Sequence, residues 1–481
     1  MCGIVGVHNA KRPVAGDLYV ALMNLQHRGK ESAGIATFDG VNMKSHVGMG
    51  EVPQAFVPDS LNDLAGKIGI GHTRYSTAGF SSIENAQPIR GLFKGREFFL
   101  AHNGNLINSR VLSREAGLSG IKLDSDCSDT RVIAALVSAS KKARFEDAVM
   151  DVLPILQGSF NLLFIFNGTI IAAKDSFGFH PLQVGERGEG YIISSESCVF
   201  DHLNAKLIRD ISPGEMVIIN DKKSPEFITW TENSGLSFDI FEYIYFLRPD
   251  SVVHGVEAGE ARYRMGQYLA DEYPLDVDIV IPIPDSGNEA ALGYYERMLE
   301  KGAEVQFRPW ALFRPHTVSR TFIEPVQAIR REYLKLKFNP RQKQLEGKRV
   351  AAIDDSLVRG TTEEFLDVIM HEAGVRELYS LKSSPVYASE DIYGIDTYRI
   401  ARELIGKECE GDAERVLTEL RRRVQTRIYS CGLPTSLDYL SLDSTIQAVL
   451  DSRGKNSDLT EDSFYTGPFT GIYPAGKGDI V

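Results

Sequence analysis

Short apolar or alternating runs broken by Gly and Asn recur through the first half of the chain: GIVGVH, KIGIGHTRYST, REFFLAHNGNL and SFNLLFIFNGTIIAAKDSFG. Alternation of this kind between turn residues predicts strands. The clearest case is residues 160–174, where Asn167 and Gly168 supply the two positive-φ positions of a tight hairpin, so the sheet is expected to be antiparallel. Two intervening stretches, DLYVALMNLQHRG and DTRVIAALVSASKKARFEDAVMDVLPIL, carry apolar residues at three- and four-residue spacing and predict helices.

The pattern changes across a polar stretch near residues 220–236. Beyond it, apolar strands alternate with helical segments: VDIVIPIPDSG, then NEAALGYYERMLEKG; RVAAIDDS, then a helix from about residue 361 to 373; then RELYSLKSS. That order predicts a parallel sheet with crossover helices, whose ligands bind beyond the carboxyl ends of the strands. Two further helical segments follow, and a Gly- and Pro-bearing tail from Tyr465 is expected at the surface. The expected division is residues 2–232, 240–450 and a tail of 451–481.

A length of 481 residues is long for one core and agrees with two domains. With 25% charged and 43% hydrophobic residues and no apolar run near ~20 residues, a membrane span is not expected. A net charge of −12 disfavours nucleic acid as a partner and favours a small-molecule enzyme. The five cysteines are widely spaced with no C-x-x-C pair, which disfavours disulfides or a zinc knuckle and suits the cytoplasm. The N-terminus lacks the pattern of a signal peptide, so Cys2 is expected to belong to the working protein.

If Met1 is removed, Cys2 carries a thiol and a free α-amine on one residue, and an amine of pKa near 8 is a workable base for that thiol. Its company is LQHRGKESAGI (25–35), GHTRYSTAG (71–79), HNGNL (102–106) and SDT (128–130). Each alone reads as a turn, a strand end or a helix cap. In this order after CGI they resemble the class II glutamine amidotransferases, N-terminal-nucleophile hydrolases with an α/β/β/α sandwich. The resemblance implies that Cys2 attacks the glutamine amide, Arg74 holds the substrate α-carboxylate and Asp129 accepts its ammonium. It gives Asn103 and the N–H of Gly104 the oxyanion hole, and makes Arg28 and Gly29 the pocket wall.

In RVAAIDDSLVRGTT (349–362), an apolar strand runs into two acids and a Ser, Arg, Gly and Thr loop that opens a helix. A phosphate there would meet unpaired N–H groups and hydroxyls, and the acids would face ribose hydroxyls or Mg2+. Thr361 and Glu364 also fit a capping box, which leaves the paired acids unexplained. The stretch resembles the phosphoribosylpyrophosphate fingerprint of type I phosphoribosyltransferases. FEYIYFLRPDS, PIPDSGNEAALGYY, RTFIEP, LKFN, HEAGVRELYSLKSSP, YGID and LDYLSLD extend the resemblance to the amidophosphoribosyltransferase family over nearly the whole chain.

That resemblance assigns phosphoribosylpyrophosphate to Asp354, Asp355, Ser356, Arg359, Gly360 and Thr361. It puts Arg320 in a closing loop, Lys337 at nucleotide phosphates, and Mg2+ at Ser286, Asp354 and Asp355. It implies glutamine as ammonia donor, 5-phosphoribosylamine as product, purine nucleotides as inhibitors and a homo-oligomer. Alternatives are a divergent phosphoribosylpyrophosphate-dependent amidotransferase and a non-catalytic regulator that binds the same ligand.

The chain also departs from the family pattern. One branch ligates an iron-sulfur cluster with four cysteines; Asp239, Asp391, Tyr465 and Pro468 stand at those positions, so no cluster is expected. Cys409 and Cys431 are expected to be structural. Lys174 and His180 replace two arginines of an R-D-P-x-G-x-R-P-L stretch, RPHT replaces R-N-x-Y at 314–317, and Ser319 replaces a glycine. Interdomain signalling and loop closure are where these changes bear.

Overall fold

The structure is a computed structural model that describes residues 1–9, 11–75, 82–118, 128–221, 223–231, 235–315, 338–394, 397, 404–425 and 434–478. Within the first half, two antiparallel sheets face each other. The seven-stranded sheet runs in the order Lys206–Asp210, Gln183–Arg187, Gly190–Ser194, Gly3–His8, Ile68–Arg74, Ser32–Phe38 and Met43–Met49. The six-stranded sheet contains Arg96–Leu106, Gly158–Phe166 and Thr169–Lys174 as consecutive neighbours. The predicted hairpin is present, with Asn167 at φ 44 and Gly168 at φ 82 between the last two strands.

Apolar residues from both inner faces, among them Ile4, Ile70, Phe99, Leu163 and Ile165, close the space between the sheets. Helix Ala15–Asn24 covers the first sheet through Leu18 and Leu22, and helices Asp129–Ala139 and Phe145–Val152 cover the second through Ile133 and Val149. Burying each such Leu, Ile or Phe contributes roughly 1.5–3 kcal/mol. The layers are therefore helix, sheet, sheet, helix.

The second half carries a five-stranded parallel sheet in the order Gln306–Phe307, Ile279–Pro282, Arg349–Asp354, Glu377–Lys382 and Ser436–Tyr439. The continuous apolar run VAAI in the central strand fits burial on both faces. Asp354 is the last residue of that strand, at its carboxyl end.

Tyr465 corrects the expectation for the tail. Phe464–Tyr465 pairs in parallel with Phe238–Asp239, and Tyr465 is only 1% exposed. Its ring lies 5.4 Å from Phe179 and 5.0 Å from Tyr393, so the tail helps to fill the junction between the two halves. Gly and Pro marked turns there, while the aromatic residues between them supplied apolar surface to bury.

Candidate active sites

Strand register builds the first site. Gly3 stands opposite Thr73, which brings Cys2 to the strand end that carries Arg74. The Cys2 N–H donates to Asn103 Oδ1 at 2.9 Å, and its thiol lies 3.5 Å from the Tyr75 carbonyl. Because Oδ1 is taken, Asn103 presents its Nδ2 donor, which is buried and has no hydrogen-bond partner among the described residues. Gly104 follows at φ 150, and a Cβ there would come within 2.2 Å of the Ser159 carbonyl, so only glycine fits. Burial pushes the Cys2 thiol up, while the terminal ammonium, a backbone hydrogen bond with Tyr75 and the Arg74 guanidinium oppose that rise.

The strand that carries Asn103 also holds Asp129. The carboxylate accepts from the N–H of Leu106 at 3.2 Å and of Thr130 at 2.8 Å, and His102 Nδ1 lies 3.6 Å away. Burial disfavours the charge, but His102 and these N–H groups outweigh it and hold Asp129 below the usual carboxylate range. An ionised carboxylate in a buried pocket suits a substrate ammonium. Arg74 is itself buried, and Gly29 packs directly on its backbone, 2.5 Å from where a Cβ would sit.

Arg28, expected in the glutamine pocket wall, is anchored beside Cys2. Its Nε donates to the Cys2 carbonyl at 3.0 Å, and its other nitrogens bind Glu196 at 2.6 Å and Glu242 at 2.8 Å, all fully buried. The guanidinium is thus spent on two carboxylates rather than on a substrate. Glu196 also accepts from His27, Ser251 and the Arg248 N–H, and Glu242 opens a π-helical turn, Glu242–Phe246, that belongs to the second half. Neither acid stood out in the sequence; Glu242 inside the apolar run FEYIYF was the available signal.

The second site lies at the carboxyl end of the parallel sheet. Asp354 and Asp355 are both largely buried, with Asp354 Oδ1 accepting the Asp355 N–H at 3.0 Å and Asp355 accepting the Ser356 hydroxyl. Burial pushes Asp354 up to about 6, with Lys382 opposing and Asp355 adding to the rise. Helix Thr361–Glu372 begins after Gly360, which is its cap at φ 79, and no described side chain caps it. The capping box at Thr361 is therefore not formed, and the first-turn N–H groups face the loop that holds Ser356 and Arg359.

The Ile283 N–H donates to the Ile353 carbonyl at 2.8 Å, which sets the PDSG loop and half-buried Ser286 beside the acidic strand end. Arg320 and Lys337 lie outside the described residues, as do Ser319, Cys431 and residues 316–317 of RPHT. Cys409 is buried among Ile405, Leu420 and Tyr439. Tyr245 of the π-helical turn, 48% exposed, has its phenol pushed up to about 12 by partial burial, then by Asp355, Tyr75 and Asp354.

Residues 72–202 match the model of a glutamine amidotransferase domain. Over 457 residues the chain is 38% identical to an amidophosphoribosyltransferase of Methanothermobacter thermautotrophicus, covering 94% of this chain and 92% of the relative. It is 36% identical over 482 residues to that of Bacillus subtilis, covering 98% and 94%. The chain belongs to the amidophosphoribosyltransferase family.

A solved family structure, glutamine phosphoribosylpyrophosphate amidotransferase from B. subtilis complexed with ADP and GMP, superimposes with a TM-score of 0.85. It shares 34% identity over 98% of this chain and 97% of its own. The four residues that the resemblance sets at cluster-ligand positions, Asp239, Asp391, Tyr465 and Pro468, are buried. Carboxylates and a phenol do not supply the thiolates such a cluster takes. Burial, then Asp391 and Glu242, raise the Asp239 carboxyl well above the usual range.

The two replaced arginines of the family stretch also sit at this junction. His180 lies 3.3 Å from Glu242 and bonds the Tyr393 carbonyl at 3.1 Å. Lys174 is fully buried, and its Nζ has no hydrogen-bond partner among the described residues. Burial accordingly lowers its pKa, against the pull of Asp210 and Asp175.

Proposed function

We propose that Cys2 releases ammonia from glutamine and that the loop at 354–361 presents phosphoribosylpyrophosphate to it, giving 5-phosphoribosylamine, glutamate and pyrophosphate. This is the first step of de novo purine biosynthesis. The observation that carries the reading is the unpaired, buried Asn103 Nδ2 beside the Cys2 backbone, in a chain that also ends a parallel strand with two carboxylates at a phosphate-type loop.

Once Met1 is removed, the α-amine of Cys2 takes the thiol proton and the sulfur attacks the amide carbon. Asn103 Nδ2 and the Gly104 N–H receive the developing oxyanion. Arg74 binds the α-carboxylate in its planar fork, and Asp129 binds the α-ammonium. The amine returns its proton to the departing ammonia, and water then cleaves the thioester to glutamate.

At the second site the 5′-phosphate lies over Ser356, Arg359, Gly360 and Thr361, and Asp354 and Asp355 accept the ribose hydroxyls. Ammonia attacks C1 as pyrophosphate leaves. Asp354, Asp355 and Ser286 are hard oxygen donors of the kind Mg2+ takes together with substrate phosphates, and when bound it neutralises charge on the departing diphosphate. Arg320 would close over the substrate and exclude competing water. Lys337 would contact nucleotide phosphates, and the ADP and GMP complex of the B. subtilis relative supports purine nucleotides as inhibitors.

A homo-oligomer working in the cytoplasm completes the reading; among the described residues, no helix is long and apolar enough to cross a membrane. Replacing Cys2 by Ser tests the division of labour. Glutamine-dependent product formation should vanish while activity with concentrated ammonia persists; loss of both would mean that Cys2 serves only the fold.

A further inference from the structure

A lysine in a buried strand was not expected to take part in the second site. Lys382 ends the strand Glu377–Lys382, and register places it directly beside Asp354 in the parallel sheet. Its side chain is 1% exposed. The ammonium donates to Asp354 Oδ2 at 3.3 Å and to Glu363 Oε2 at 2.6 Å. Glu363 sits in the first turn of the helix that follows the phosphate-type loop, is itself buried, and accepts the Ser380 hydroxyl at its other oxygen.

These bonds tie three separate pieces of the site together. Asp354 is held on both oxygens, by the Asp355 N–H and by Lys382, so its carboxylate plane has one orientation relative to the loop. The same ammonium grips the helix whose N-terminus opens onto that loop. A single buried cation therefore sets the spacing between the strand-end carboxylate and the helix start. Substrate ribose must bridge those two places if its hydroxyls meet Asp354 and its phosphate meets the residues at 356–361.

We infer that Lys382, oriented by Glu363, is a positioning residue for phosphoribosylpyrophosphate, aligning Asp354 with the phosphate loop. This rests on the assignment of that loop under the proposed function. Removing the ammonium alone would leave Glu363 and Asp354 buried without their counter-charge and threaten the fold. The informative variant is Lys382→Met with Glu363→Gln, which nearly preserves volume and removes the ammonium together with the closer of its two carboxylates, leaving Asp354 its bond from the Asp355 N–H.

Two measurements decide it: direct titration of phosphoribosylpyrophosphate onto the full chain in Mg2+, and steady-state kinetics with ammonia as nitrogen donor. Labelling of Cys2 by a reactive glutamine analogue serves as the internal control for folding. The double variant should label at Cys2 at the original rate, yet bind phosphoribosylpyrophosphate more weakly and show a KM for it raised about 10–100-fold, well beyond any fall in kcat. Unchanged binding and KM in the double variant would overturn the role of Lys382 while leaving the loop assignment intact. Failure of the unaltered chain to bind phosphoribosylpyrophosphate would overturn the loop assignment and this inference with it.

Discussion

At the scale of single residues, the chemistry depends on which atom of a side chain is already occupied. Asn103 gives its oxygen to the Cys2 N–H and keeps its amide nitrogen for the reaction. Asn103→Asp retains the accepting oxygen but removes the donor. It should lower glutamine-dependent kcat by about 10²–10³-fold, with ammonia-dependent turnover little changed; steady-state assays with the two nitrogen donors check it. Cys2, Arg74, Asn103 and Asp129 were legible because their motifs are local and ordered along the chain. The partners of Arg28 were not, since Glu196 and Glu242 are distant in sequence and only folding brings them to one guanidinium. Lys382 lies in the family-like stretch HEAGVRELYSLKSSP, but its role was not legible there, because it comes from a strand register and a helix turn that no short window contains.

Among elements, strands and their turns followed closely from apolar alternation and from Asn167-Gly168. The docking of the tail did not, because pairing of Phe238–Asp239 with Phe464–Tyr465 joins segments over two hundred residues apart. That pairing buries Asp239, whose Oδ1 accepts the Phe241 N–H at 3.0 Å and whose Oδ2 has no partner among the described residues. A raised carboxyl pKa means that the folded state keeps a proton the unfolded chain gives up. Stability is then lost as pH climbs from the ordinary Asp value toward the raised one. Asp239→Asn keeps the bond to Phe241 without that penalty. Its Tm should exceed that of the unaltered chain by a margin that grows from about pH 5 to about pH 8, as thermal unfolding followed across that range would show. A margin independent of pH would mean that Asp239 is ionised in place.

Across the whole molecule, the two halves meet at a buried junction. Arg28 links the carbonyl of the nucleophile to Glu242, and Glu242 begins the turn Glu242–Phe246 of the second half. Two domains were legible from the change of strand pattern near residue 230, but their junction was not, because it joins buried charged groups such as Arg28, Glu196 and Glu242 and aromatic residues such as Phe179, Tyr393 and Tyr465 that are far apart in the chain. The central claim is that these halves perform one coupled reaction, so the decisive measurement is its stoichiometry. Purified enzyme given amide-labelled ¹⁵N-glutamine, phosphoribosylpyrophosphate and Mg2+ should release glutamate and pyrophosphate in equal amounts and place the label in 5-phosphoribosylamine. Glutamate released without pyrophosphate would contradict the account.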